Sequence, residues 1–468
     1  MLFNSLTFLL FLPVVVALYY LLPFKFRWIL IFLASCYFYM AFVPAYILVL
    51  FFIILVDFYS AILIERNEGK KRKLFLFLSL FVNITTLGFF KYFHFANENV
   101  SAFINLFGFH LKPIHLNIIL PIGLSFHTFQ SMSYTIEVYW KKQVAEKHLG
   151  FFANYVLFFP QMVAGPIERY QTLGNELKTN HQALYENFSN GFRLILFGLF
   201  IKMAIADNLA PFVNAVYEAP LLHSRSEVCL AVLFFSFQIY ADFFGYSTIA
   251  LGCARLLGIN IMDNFKTPYL SKSITEFWSR WHISLSTWFR DYLYISLGGN
   301  RVSLPKWSLN ILMVFAVSGL WHGASWTFVV WGLCHGFLRL LEKYSSQFFN
   351  FKMKEGWGLI NILLSIKTFL LTSLIWIFFR AESFSKAMDV FKAMFKSEII
   401  LNEWNKFIFP LSLLMLLLIC DLLLYQKRFD NWMQKLKGTY RWSIYALLLF
   451  ILLTLSGTQK FNFIYFQF

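Results

Sequence analysis

The chain reads as a succession of apolar runs separated by short polar stretches. The runs fall near residues 2–22, 28–43, 45–64, 74–90, 117–139, 151–165, 190–206, 228–256, 308–342, 358–379, 407–425 and 442–456. A helix that crosses the hydrocarbon core needs about 20 predominantly apolar residues. Membrane barrels show shorter, alternating segments instead. The pattern therefore predicts an all-α, polytopic transmembrane protein with about ten to thirteen membrane helices. No repeat stands out and no Pro/Ser/Gly-rich linker divides the chain, so a single membrane domain over 1–468 is expected.

Between 263 and 306 the pattern changes. "DNFKTPYLSKSITEFWSRWHISLSTWFRDYLYISLGGNR" is too charged to span lipid and too aromatic for a free loop. "SITE" fits a capping box, with Ser273 at the N-cap and Glu276 at N3. Trp278, Trp281, Leu285 and Trp288 then share one helical face, and Glu276 and Arg280 form an i,i+4 pair on another. One or two amphipathic interfacial helices are expected here, ending at Gly298-Gly299.

Composition agrees. Hydrophobic residues make up 59% of the chain and charged ones only 14%, against about 45–50% and about 25% in soluble domains. The net charge of +16 invites a nucleic-acid partner, but the basic residues lie between apolar runs, as expected of cytoplasmic loops. A lipid bilayer is the expected surrounding, and no nucleic acid. Cys36, Cys229, Cys253, Cys334 and Cys420 are scattered, without C-x-x-C, so neither a disulfide framework nor a metal site is predicted. The N-terminal run has no basic n-region and no small-residue cleavage site, and reads as a retained span. The basic clusters "ERNEGKKRK" (65–73) and "QKRFDNWMQKLKGTYR" (426–441) are assigned to the cytoplasm. Both termini are then extracytoplasmic.

Ionisable residues inside apolar runs are costly and face a cavity or a partner. "SGLWHGASWTFVVWGLCHG" (318–336) holds His322 and His335 in two G-L-x-H-G frames, with G-x-x-x-G spacings at Gly319/Gly323 and Gly332/Gly336 that permit close helix approach. On a helix, Ser318 and Trp326 flank His322 at i−4 and i+4, a polar notch walled by indole. If that helix is continuous, His335 lies about 20 Å along the axis and about 140° around it, too far to pair with His322. His335 is read as packing, whereas His322 is open between helix–helix glue and a general base toward a hydroxyl. His282 in "RWHIS" reads as an interfacial imidazole or a functional one. Asp242 in "YADFFGYST" could orient an imidazole, pair with an arginine or be protonated. No nucleophile elbow, phosphate loop, dinucleotide turn or metal-ligand spacing occurs in the chain.

Several long motifs, in order, carry a resemblance. They are "FFPQMVAGPIERY" (158–170), "DFFGYSTIALGCARLLGINIMDNFKTPYL" (242–270), "EFWSRWHISLSTWFRDYLYISLGGNR" (276–301), "SGLWHGASWTFVVWG" (318–332) and the terminal "FIYFQF". With them, the chain resembles the membrane-bound O-acyltransferase (MBOAT) family, in its bacterial AlgI/PatA/DltB branch, over nearly its whole length. The details are closer to the polysaccharide O-acetyltransferases of that branch than to its D-alanylation members. The resemblance puts the core motifs at 158–336 and an aromatic tail at 459–468. It implies a funnel-shaped helical fold with a tunnel, His322 as active-site histidine and His282 as the second. Asp242, Ser318, Trp321, Trp326 and Trp281 become candidates for supporting or lining that tunnel. "KFNFIYFQF" fits F-x-Y-x-x-F through Phe463, Tyr465 and Phe468. Tyr465 is therefore an acyl-acceptor candidate, although an aromatic tail is also the simplest interfacial anchor. Phe244 and Thr248 depart from the D-F-S-G-Y-S-D pattern of the branch, and Ser296 stands where related chains often have Pro.

What the resemblance implies is an inner-membrane enzyme. It would move an acyl group, in the first instance acetyl, from cytosolic acetyl-CoA to an extracytoplasmic acceptor. No permanently bound cofactor is implied. The acceptor would be a cell-surface polysaccharide such as peptidoglycan or an alginate-like polymer, reached through an SGNH-type partner. The alternatives are D-alanyl transfer to teichoic acid, a transporter or flippase built on Asp242 and the histidines, and a silent scaffold. Transporters often carry inverted repeats, which the chain does not show.

Overall fold

A computed structural model describes residues 1–163, 165–348, 356, 358–396, 404–456 and 463–464. Among these the secondary structure is helical, with no strand. Eight helices in the described residues are long and apolar enough to cross a membrane, so the protein is a multi-pass membrane protein. Three apolar runs behave differently from their length. The run at 117–139 is helical only from Leu124, and that at 151–165 only to Leu157. The run at 308–342 is not continuous and breaks at Gly323–Ser325.

The chain forms two compact units, 1–189 with 253–262, and 190–252 with 263–468. The first contains α1 (Leu6–Leu21), α2 (Phe24–Met40), α3 (Ile47–Arg66), α4 (Gly69–Leu87), α5 (Phe93–Asn105), α6 (Leu124–Tyr139) and α7 (Leu149–Leu157). α3, α4 and α6 meet around Asp57, which is fully buried. Ser79 Oγ donates to its carboxylate at 2.7 Å and Asn83 Nδ2 at 2.8 Å, and Ser131 Oγ donates as well. Donors on two neighbouring helices thus replace the water that burial removes from Asp57.

The second unit is built on two long helices, α8 (Tyr185–Leu199), which belongs to it from Asn190, and α10 (Arg225–Leu256), which belongs to it up to Gly252. A π turn at Phe200–Ala206 carries α8 into α9 (Asp207–Glu218). α8 and α10 touch through glycines. A Cβ on Gly198 would lie 2.7 Å from the Gly245 carbonyl oxygen, and one on Gly252 2.7 Å from that of Gly191. Around this pair stand α11 (Ile274–Arg280), α12 (Ile283–Trp288), α13 (Leu304–His322), α14 (Trp326–Phe348), α15 (Leu359–Arg380), α16 (Phe384–Met394), α17 (Asn405–Leu424) and α18 (Gly438–Leu455).

The 263–306 segment forms two helices rather than one face. Ser273 caps α11 by accepting from Glu276 N, as the capping box predicts. The Glu276 carboxylate accepts from Lys272 N, one residue earlier than the box requires, and pairs with Arg280. Glu342 of α14 also accepts from Ile274 N and, at 3.1 Å, from Thr275 N, which places an anion where the first-turn amides need one. The break follows at His282, whose φ of 43° and ψ of 55° are left-handed. Asn264 takes over the amides that the break frees. Its backbone carbonyl accepts from Ile283 N at 3.0 Å, and its side-chain oxygen accepts from Ser284 N at 3.3 Å and from Ser284 Oγ at 2.6 Å. The segment is not a surface layer, since Trp281, His282 and Arg280 are buried.

The run at 308–342 forms a helical hairpin. Gly323 leaves the helix in an extended conformation (φ −160°, ψ 152°), and α14 returns antiparallel to α13. A Cβ on Gly319 would lie 2.1 Å from the Phe328 carbonyl oxygen, and one on Gly332 would lie 2.1 Å from that of Phe315 and 3.3 Å from Gly319 Cα. Small residues permit this backbone approach, as the G-x-x-x-G spacings suggest. Gly332→Ala should cost about 1–3 kcal/mol through overpacking and lower the melting temperature of the detergent-purified protein. Gly438→Ala, where an added Cβ meets nothing within 4 Å, should leave it near the parent value. Equal melting temperatures for the two variants would refute the close approach.

Candidate active site

The hairpin places His322 at the last helical residue of α13, 4% exposed. Its imidazole is walled by aromatic rings, with centroids of Trp321 and Trp331 at 5.0 Å and of Phe379 at 5.3 Å. His282, held at the left-handed break between α11 and α12, is fully buried. Its ring meets Phe243 of α10 edge-on at 4.6 Å and Trp321 at 6.2 Å. The two imidazoles, 40 residues apart in sequence, face one another with centroids 6.5 Å apart. His282 lies outside the spanning helices, and burial pushes its imidazole down to about 3. It is therefore neutral near pH 7, with one nitrogen a donor and the other an acceptor.

His335 occupies the return limb of the hairpin. The expectation that it lies far along one helix from His322 does not hold, because α13 ends at His322. Trp331 stands between them, 5.0 Å from His322 and 5.1 Å from His335. The other ring neighbours of His335 are Phe277, Trp278, Phe315 and Trp376. An aromatic box surrounds His335, in keeping with a packing role.

The supporting candidates divide. Trp321 belongs to the site wall, and Ser318 is buried one turn before His322. Trp326 is 57% exposed; the hairpin break removes it from the face of His322, so the notch predicted on a continuous helix does not form. Trp331 supplies the indole instead. Trp281 lies behind the wall, 5.0 Å from Trp376, which stacks at 5.5 Å on Trp331.

Asp242 does not reach either histidine. It pairs with Lys202, from the π turn after α8, and Lys202 pairs in turn with Asp207 at 2.7 Å. A buried lysine is therefore the partner, where the sequence suggests an arginine, an imidazole or a proton. Asp242 Oδ2 also accepts from the backbone N–H of Ile464 at 2.6 Å. The Phe463 ring packs 5.6 Å from Phe243 and 4.8 Å from Tyr246. Phe463 and Ile464 are thus buried in the protein, not spread at a lipid interface. They lie one aromatic layer behind His282. Tyr465 and Phe468 fall outside the described residues.

The sequence reading missed Lys202, Trp331, Phe379 and Phe243. A lone cation in "GLFIKMAIA" is the signal that the cost of intramembrane charge would have flagged. The aromatic rings carry no comparable signal in a chain that is 21% aromatic.

What this arrangement brings together chemically, among the described residues, is two facing imidazoles in a buried, aromatic-walled enclosure. The comparisons with known proteins point the same way. Residues 133–375 match the membrane-bound O-acyltransferase family. The chain is 37% identical over 413 residues to the "Probable alginate O-acetylase AlgI" of Azotobacter vinelandii, covering 87% of this chain and 80% of that protein. It is 34% identical over 392 residues to the "Peptidoglycan O-acetyltransferase" of Helicobacter pylori, covering 77% and 72%. A "Teichoic acid D-alanyltransferase" of Bacillus subtilis is 29% identical over 260 residues, covering 51% and 64%. On the family match and these relatives, the chain belongs to the membrane-bound O-acyltransferase family.

Proposed function

We propose that this enzyme transfers an acetyl group from a cytosolic thioester, acetyl-CoA, to an extracytoplasmic acceptor for O-acetylation of a cell-surface polysaccharide. The carrying observation is the convergence of His322 and His282, their ring centroids 6.5 Å apart in a buried aromatic enclosure. The similarity to an alginate O-acetylase and a peptidoglycan O-acetyltransferase supports acetyl and a polysaccharide over D-alanine and teichoic acid, because those two matches cover more of this chain. The enzyme works in the bacterial inner membrane with both termini outside, and an extracytoplasmic SGNH-type partner passes the group to the polymer.

In this reading His322 accepts the proton of the acceptor hydroxyl as its oxygen attacks the thioester carbonyl. His282, neutral through burial, donates a hydrogen bond to the carbonyl oxygen as charge develops there. The carbon–sulfur bond then breaks, and the imidazolium of His322 returns its proton to the departing thiolate. The products are an oxygen ester and free CoA. Excluding water keeps the thioester from hydrolysis and makes positioning of the two substrates the main contribution. Tyr465 is the first hydroxyl to take the acetyl group. The tail around Phe463 and Ile464 is held in the protein just before it, which supports that assignment.

Two variants test these roles in proteoliposomes supplied with labelled acetyl-CoA. His322→Ala should insert and fold but lose transfer by about 10²–10⁴-fold, the usual contribution of a positioned general base. A fully active variant would overturn the assignment. Tyr465→Phe should insert normally and abolish transfer to the extracytoplasmic acceptor. Near-normal transfer would leave the tail as an anchor.

A further inference from the structure

The last spanning helix, α18, ends at Leu455, whose carbonyl oxygen accepts from Asn208 Nδ2 at 2.9 Å. Asn208 stands at the start of α9, directly after the π turn that carries Lys202. Further along the chain, Phe463 and Ile464 meet the protein at that same lysine. Asp242 and Tyr246 lie four residues apart on α10 and so share a face of it. The Phe463 ring packs 4.8 Å from that of Tyr246, and the Ile464 N–H donates to Asp242 Oδ2 at 2.6 Å. Lys202 completes the cluster, paired with Asp242 and with its Nζ 5.6 Å from the Tyr246 ring.

The bracing of α10 by Lys202 does not account for all of this. Lys202 is one ammonium between two carboxyl groups, those of Asp207 and Asp242, and a buried carboxyl oxygen needs donors of its own. Among the described residues, the Ile464 amide is the one donor to Asp242 besides Lys202. One oxygen of Asp242 thus serves the helix pair and the other is committed to the tail. Any residue but proline offers a backbone N–H, so that bond reads where the chain lies and not which side chain follows. The register comes from Phe463, fully buried against Tyr246 and Phe243.

We infer that Asp242 is a positioning residue for acyl acceptance. It docks the C-terminal tail through the Ile464 N–H and so fixes where the chain enters Tyr465, while Lys202 holds its carboxyl group in place. The inference rests on the reading of Tyr465 as first acceptor.

Hydrogen exchange at the Ile464 amide reads the docking without any transfer step. In the full-length protein in nanodiscs, this amide should exchange about tenfold more slowly than in Asp242→Ala, which removes its acceptor. Asp242→Asn keeps a side-chain oxygen that accepts the N–H and should stay close to the parent rate. Phe463→Ala leaves the Lys202 pair intact, should also speed exchange, and serves if Asp242→Ala fails to fold. With labelled acetyl-CoA, both alanine variants should lower kcat by about tenfold or more through misplacement of the acceptor. Their KM for acetyl-CoA should not change, and Asp242→Asn should recover most of the lost kcat.

Exchange as slow in both alanine variants as in the parent would overturn the docking, whatever Tyr465→Phe does. Faster exchange with unchanged kcat would overturn the positioning role. Tyr465→Phe then separates the two readings: loss of transfer in that variant keeps Tyr465 as the acceptor, and full transfer removes it.

Discussion

Gly319 and Gly332 allow α13 and α14 to meet backbone to backbone, and the histidine recess depends on that contact. A side chain at either position would collide with a carbonyl oxygen of the other helix. Separating the helices would draw Trp331 away from His322, because Trp331 precedes Gly332 directly. Without a hydrophobic driving force between helices in lipid, close packing and polar contacts must hold such a pair. The hairpin uses both, with Ser308 and Tyr344 sharing a hydrogen bond of 2.9 Å near its open end.

The remaining helices are tied by buried carboxylates that bond across elements. Asp242 joins α10 to the turn after α8 through Lys202, Asp421 of α17 accepts from Tyr240 of α10 at 2.9 Å, and Asp57 gathers three helices of the first unit. Removing one partner of a buried charge costs far more than an exposed pair contributes. Such residues therefore fix which helix faces meet. Asp242 thus braces the layer behind His282 and takes no part in the recess itself.

The helical class was legible because apolar runs of membrane length have few other solutions. His322 was legible as an imidazole between closely spaced glycines, and the family motifs separated it from His335. What the pattern could not carry was where the chain turns. A run of apolar residues long enough for one helix folds into two at Gly323, and that turn exchanges Trp326 for Trp331 as the wall of the site. The meeting of His282 with His322 was equally hidden, since it rests on Asn264 capturing the amides of Ile283 and Ser284. Lys202 was readable by the same rule that singled out Asp242.

The left-handed backbone at His282 sets stability against function at one position. A non-glycine residue there bears a conformational penalty of about 1–2 kcal/mol, and its imidazole is stripped of water. Glycine would relieve both burdens, but it would leave a cavity where the ring packs against Phe243 and Trp321. Backbone strain and ring packing pull in opposite directions at this residue. Drift toward glycine here would exchange backbone strain for an emptied site, a route by which a catalytic membrane protein could become a purely structural one.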